Sequence, residues 1–200
     1  MTISAFPPGV LLVLGGLVLP FVTPKIRATI VLILPLIVLW SVWQIGDGVQ
    51  LALPFLDYEL AVVKGDALSR LFATVFAIMA FAGGLFALNQ KQIGELAAAF
   101  VYAGSAIGVA FAGDLITVFI FWEIMALGST MVIWAARTPE SYKAAMRYLM
   151  IHLLDLLLLA NFHLLLQNHS MHHLLINLKS LQLEHLHWLL ILHYMLLLLL

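Results

Sequence analysis

The sequence predicts an all-α fold: a polytopic transmembrane helix bundle of six to seven helices with its N-terminus outside. Three observations carry this expectation. Apolar residues make up 64% of the chain against 10% charged, and the mean hydropathy is +1.10, which leaves too few polar side chains to cover a water-facing surface. Polar punctuation cuts the chain into apolar stretches, most of them near the roughly 20 residues that cross a hydrocarbon core. The cationic residues fall unevenly between alternate connections, as they do in proteins oriented by the membrane.

Candidate spans lie near 8–23, 28–46, 67–88, 95–112, 115–136, 143–167 and 184–200, the last being the doubtful seventh. The first is short and carries Pro8 and Pro20. Residues Met1 to Phe6 lack the cationic region of a cleaved signal peptide, so this segment is expected to stay in the mature chain. Residues 49–66 (VQLALPFLDYELAVVKGD) partly alternate apolar and polar side chains, which fits either a short hairpin at the outer surface or an ordered loop. In the third and fourth spans, Ala80 and Gly84, and then Gly104, Gly108 and Ala112, recur every fourth residue; such stripes let backbones approach closely in lipid. After the fifth span, Thr138 can cap a helix that opens with Pro139 and Glu140 and runs on through Tyr142, Lys143 and Arg147.

With the N-terminus outside, Lys25, Arg27, Lys91, Arg137, Lys143 and Arg147 fall on the cytoplasmic side, and Lys64, Arg70 and Lys179 fall opposite. The net charge of −1 offers no field for nucleic acid, and the absence of cysteine removes disulfides and thiolate metal sites. No cofactor motif or nucleotide loop occurs, so neither a cofactor nor an independent redox enzyme is expected. The histidines His169, His172 and His173 do not form a convincing metal site, because adjacent residues point apart on a helix and no acidic residue adjoins them.

Within the apolar run Leu115 to Ala136 stands one ionisable residue, Glu123. A charge at mid-helix costs roughly 2.5 to 3.5 kcal/mol on insertion scales, so such a group points by default to proton or ion handling. Its helical neighbours are Ile116, Phe119, Ile120, Ala126, Leu127 and Thr130, a stripe with a single hydroxyl. A fairly dry pocket between helices is the expected setting, and a carboxyl there can be brought to exchange protons at physiological pH. The competing reading is a structural glutamate hydrogen-bonded to a neighbouring helix. On the next segment, His152 and Asp155 share one face. Counted at about 1.5 Å per residue from Ala136 and Tyr142, Glu123 lies about 20 Å deep, His152 about 15 Å and Asp155 about 20 Å. All three are therefore expected near one level, with His152 as a proton partner or, equally, as a packing contact. Lys143 and Arg147, one turn apart, are ion-path candidates whose commoner use is to anchor a cytoplasmic helix end.

The order Ala112-Gly113-Asp114-Leu115-Ile116-Thr117, Phe119, Phe121-Trp122-Glu123 and Leu127, then Tyr142-Lys143-Ala144-Ala145-Met146-Arg147-Tyr148-Leu149, resembles the antiporter-like membrane subunits. These are shared by respiratory complex I and the multisubunit cation/proton antiporters, and the D-subunit type of antiporter is the nearest in kind. The resemblance covers roughly residues 1 to 150, including Asp66-Ala67-Leu68-Ser69-Arg70-Leu71 at the start of the third helix. It implies a multi-pass protein of a bacterial inner (cytoplasmic) membrane, working beside other membrane subunits of a larger complex. It also implies that Glu123 matches the family's functional glutamate on the fifth helix, in a path for protons or monovalent cations. The chain departs from the family in length and in the later lysine that partners this glutamate: no lysine follows Lys179. His193 is the proton-site candidate left in the last segment, and the motif does not transfer the lysine's role to it.

Composition divides the chain at Met150, giving a transmembrane bundle over 1–150 and Leu/His-rich segments over 151–200. All eight histidines lie in the second region, which has no glycine, valine or proline. One reading is a stretch that departs from the natural sequence; the other is a genuine leucine-rich continuation. Two functions are expected from the whole: an ion-translocating module acting through Glu123, or a truncated, transport-inactive relative that serves as a structural membrane subunit.

Overall fold

The computed structural model describes residues 6–55, 58–89 and 92–167. They belong to two compact units, residues 1–152 and 153–200, and the bundle described below is the first. Six helices follow the apolar stretches: α1 (Pro8–Val18), α2 (Pro24–Gln44), α3 (Ala67–Phe86), α4 (Ile93–Phe111), α5 (Leu115–Ala135) and α6 (Pro139–Gln167). The expected seventh segment, 184–200, lies outside the described residues. Between α2 and α3 the 49–66 connection takes the hairpin alternative, with β1 (Gly48–Phe55) antiparallel to β2 (Tyr58–Gly65). The hairpin is a minor addition to a helical membrane fold.

Helices α2, α3, α4 and α5 are each long and apolar enough to cross a membrane. Helix α1 is not: its 11 residues and the 3-10 turn Leu19–Phe21 reach about 22 Å, short of a hydrocarbon core about 30 Å thick. It ends at Val18, and Arg27 of the next helix donates to Leu19 O at 3.2 Å and to Val22 O at 3.0 Å in the turn that follows. Arg27 therefore ties the turn between α1 and α2 as well as placing a positive charge at this end.

Lipid supplies no hydrophobic force between helices, so close approach depends on small residues. Helix α4 is the hub, with α1, α3 and α5 packed around it. A Cβ on Gly104 would stand 2.6 Å from Gly9 O and 2.7 Å from Val13 N, so the α4 backbone lies directly on α1. Gly16 repeats the contact two turns on, where a Cβ would be 2.8 Å from Ala97 O. Gly108 meets Gly9 through its backbone and leaves the space that the Phe121 ring of α5 fills. The second expected stripe serves another seam: Gly84 lies against Val31 of α2 and the Phe100 ring. Ala112 falls outside the stripe, since α4 ends at Phe111 and Ala112 is its C-cap.

The hairpin is fixed to the bundle at three places. Leu51 and Val63 face each other across it and are buried with Ile45 of the preceding turn. Gly113, in the corner between α4 and α5, donates its N–H to Ala61 O at 2.8 Å, and a side chain there would run into Ala61 and Lys64. Arg70 binds Asp47 at 2.7 Å and Ile45 O at 3.1 Å, closing the turn that leads from α2 into β1. Asp66 caps α3, accepting from Ser69 N at 2.6 Å while its own N–H donates to Ser69 Oγ at 2.8 Å. The Ser69 backbone N–H holds the Asp66 carboxyl below its ordinary value. Lys64 and Arg70 thus share one end of the bundle with the hairpin, whereas Lys25, Arg27, Arg137 and Lys143 stand at the other. Lys91 and Lys179 lie outside the described residues.

Candidate functional site

Two local devices set α5 and α6 side by side. At the start of α5, Asp114 accepts from Thr117 N at 2.8 Å and from Thr117 Oγ1 at 2.7 Å, which fixes the first turn. At its end, Arg137 takes a left-handed conformation (φ 55°) that stops the helix, with its N–H donating to Trp134 O at 3.0 Å. Thr138 then caps α6 as expected, in a reciprocal pair: Ser141 N to Thr138 Oγ1 at 3.0 Å and Thr138 N to Ser141 Oγ at 3.0 Å. The Trp134 and Tyr142 rings meet edge to face at 5.4 Å across the turn. After so tight a reversal, residues equally distant from the turn come level.

Glu123 and His152 are such residues. Glu123 Oε1 stands 3.6 Å from His152 Nδ1. His152 is almost wholly buried, while the Glu123 side chain keeps 19% of its surface open. The depth count from sequence put Glu123, His152 and Asp155 near one level, with His152 as a proton partner or a packing contact, and the structure brings His152 to Glu123. That count was taken from Tyr142; measured from Pro139, where α6 was expected to open and does, His152 lies about 4.5 Å deeper, level with Glu123. Asp155 follows three residues further along α6, in the second unit, and is half-buried.

The pair sits on a boundary. Ala126 and Thr130 on one flank of Glu123 are buried, and Phe119 and Ile116 are half-buried. On the other flank Ile120 and Leu127 are 47% and 51% exposed, so the expected pocket between helices is closed on one side only. On α6, Ala145, Tyr148 and His152 turn toward the bundle, and the Tyr148 ring lies 4.6 Å from the imidazole. Tyr148 was not among the candidates read from sequence; its place one turn before His152 was the available signal. Lys143, Arg147 and Met150 form the opposite, exposed stripe, so the structure does not bring the two cations to Glu123. His193 lies outside the described residues.

A carboxyl and an imidazole 3.6 Å apart are within ion-pair range but beyond hydrogen-bond length, and a small approach makes them an acid–base couple. One proton can reside on either member, as carboxylate with imidazolium or as carboxylic acid with imidazole, and both states are neutral overall. Neutrality is what makes the pair tolerable in hydrocarbon, where a lone charge is not. Two ligands are too few to hold a metal ion, and among the described residues no group of three or more His, Asp or Glu converges.

No protein-family model matches the chain, and no curated protein matches it. The fold and the site define a membrane-spanning helical protein with an acid–base couple inside its bundle.

Proposed function

We propose that the chain is a proton- or cation-translocating membrane subunit of the antiporter-like kind, with Glu123 as the proton-exchanging group and His152 as its partner. The observation that carries this reading is the 3.6 Å approach of Glu123 Oε1 to His152 Nδ1 near the middle of α5. The partly open carboxylate takes up or releases the proton, and the buried imidazole passes it inward. The motif from Gly113 to Arg147 supports the same reading, because it puts Glu123 where the family has its functional glutamate. In this reading the protein lies in a bacterial inner membrane with the hairpin outside, among other subunits of a larger complex.

The test is Glu123→Gln in the complete complex, reconstituted in vesicles with a pH-sensitive dye inside. Proton-coupled transport is expected to be lost while assembly is unchanged, because Gln keeps the shape and cannot carry the proton. Undiminished transport would overturn the proposal. If, in addition, deletion of the chain destabilises the complex and the Gln variant restores it fully, the chain is a structural subunit.

A further inference from the structure

We infer that the end of the bundle opposite the hairpin holds one aminophospholipid, its ammonium on Glu95, its phosphate on Arg137 and an acyl chain between α3 and α4. Two cavities meet there. The first, about 510 Å³, lies between the start of α4 and the end of α5 and is lined by Gln92, Gly94, Glu95, Trp134 and Arg137. The second, about 490 Å³, runs between α3 and α4 past Phe76, Met79, Gly83, Leu96 and Ala103. Gln92 and Glu95 line both, so the two spaces share a junction at the level of the helix ends.

The shape fits a lipid. From Gln92 to Ala103 the second cavity follows α4 for about 15 Å, half of the hydrocarbon thickness and so the depth of one leaflet. Its walls are apolar beyond the junction, apart from Tyr102, and suit a hydrocarbon tail. Trp134 in the first cavity is a residue type that settles at headgroup level.

The charges choose the headgroup. Glu95 and Arg137 present opposite signs to one cavity, and among the described residues neither side chain has a protein partner. An anionic lipid would satisfy Arg137 and be repelled by Glu95. A primary ammonium beside a phosphate satisfies both, and it can donate N–H bonds to the carboxylate, which a trimethylated ammonium cannot. The conformation of Arg137 points the same way. At φ 55° this is a position where glycine is favoured, so a residue with a long cationic side chain is held there against backbone preference.

The experiment uses the full chain in mild detergent, with native mass spectrometry for retained lipid and thermal unfolding with added phosphatidylethanolamine, phosphatidylcholine, phosphatidylglycerol or inorganic phosphate. Phosphatidylethanolamine should be retained preferentially and raise the unfolding midpoint most. Glu95→Gln and Arg137→Gly should each weaken retention about fivefold, the effect of one charge near a membrane surface. Arg137→Gly also relieves the left-handed backbone, so its loss of lipid cannot be laid to misfolding. Gly83→Leu adds a side chain where nothing lies within 4 Å of the Cβ position and should expel the tail with the fold intact. Equal retention of the three lipids, full retention by the charge variants or by Gly83→Leu, or an equal midpoint shift from phosphate alone would overturn the proposal.

Discussion

Replacing Gly104 by Ala and Gly83 by Ala should change stability in opposite directions, although both exchange glycine for alanine inside a helix. Alanine is the better helix former by about 0.5 to 1 kcal/mol, and that gain is available wherever the methyl group finds room. At Gly83 nothing lies within 4 Å of the added Cβ, so the gain should be realised. At Gly104 the methyl would stand 2.6 Å from Gly9 O and 2.7 Å from Val13 N, both backbone atoms with no rotamer to escape into. Ordinary contact requires α1 and α4 to part by about 0.5 to 1 Å, a gap that forfeits a quarter to a half of each dispersion contact along the seam. Overpacking of this kind costs about 1 to 3 kcal/mol, so the propensity gain is outweighed and Gly104→Ala should be destabilised by about 1 to 2 kcal/mol. Reversible unfolding in mixed micelles, followed by far-ultraviolet circular dichroism, measures both. Equal stabilisation of the two variants would refute the close seam between α1 and α4.

The acid–base couple makes its own prediction for stability. Glu123→Leu alone leaves the buried His152 without its carboxylate and should cost about 3 kcal/mol, whereas Glu123→Leu with His152→Leu should cost clearly less, since the imidazole goes with the carboxylate it faces; a double variant that is the sum of the singles would argue against direct coupling. Asp66→Ala should cost about 1 kcal/mol at neutral pH through loss of the α3 cap. The Asp66 carboxyl titrates below its ordinary 3.8 when folded, so the cap's contribution is complete above that value and is lost as pH falls through the folded pKa. The gap in unfolding free energy between the natural protein and Asp66→Ala should therefore be widest near pH 7 and narrow as pH falls below 3.8 and through the lower folded value, as measured by denaturant titration at each pH.

Much of the fold was legible in residues that act on near neighbours. Apolar length marked α2 to α5, and Thr138 with Pro139 marked the start of α6, because a cap is settled within three or four residues. The hairpin was legible only as one of two alternatives. Its alternation is real, but what decides for it is the contact of Gly113 with Ala61, which joins segments remote in sequence. The glycine stripes announced close approach without naming the partner: Gly104 meets α1 rather than α3, and Gly84 meets α2.

The site was harder to read for a related reason. Glu123 stood out because a charge among apolar residues is visible by composition alone. Its partner was less visible, since α6 carries leucines on most sides and gives no periodicity from which to tell the inward face. His152 and Asp155, three residues apart on one face, were both expected near the level of Glu123, and nothing in the composition of α6 chooses between them. Tyr148 escaped notice because nothing about an aromatic near a helix end distinguishes a ring neighbour of an imidazole from an interfacial anchor.

The sequence by itself determined the solvent of this protein, the apolar lengths of α2 to α5, the cap that opens α6, and the one carboxyl set inside an apolar run. Each depends on composition or on bonds between residues a turn apart. Only the tertiary structure decided which face of each helix meets which neighbour, and with it the seat of the hairpin on the α4–α5 corner and the meeting of Glu123 with His152. In water a helix betrays its inner face by burying its apolar side; in lipid both faces are apolar, and the rotation of each helix is fixed by close packing with the others.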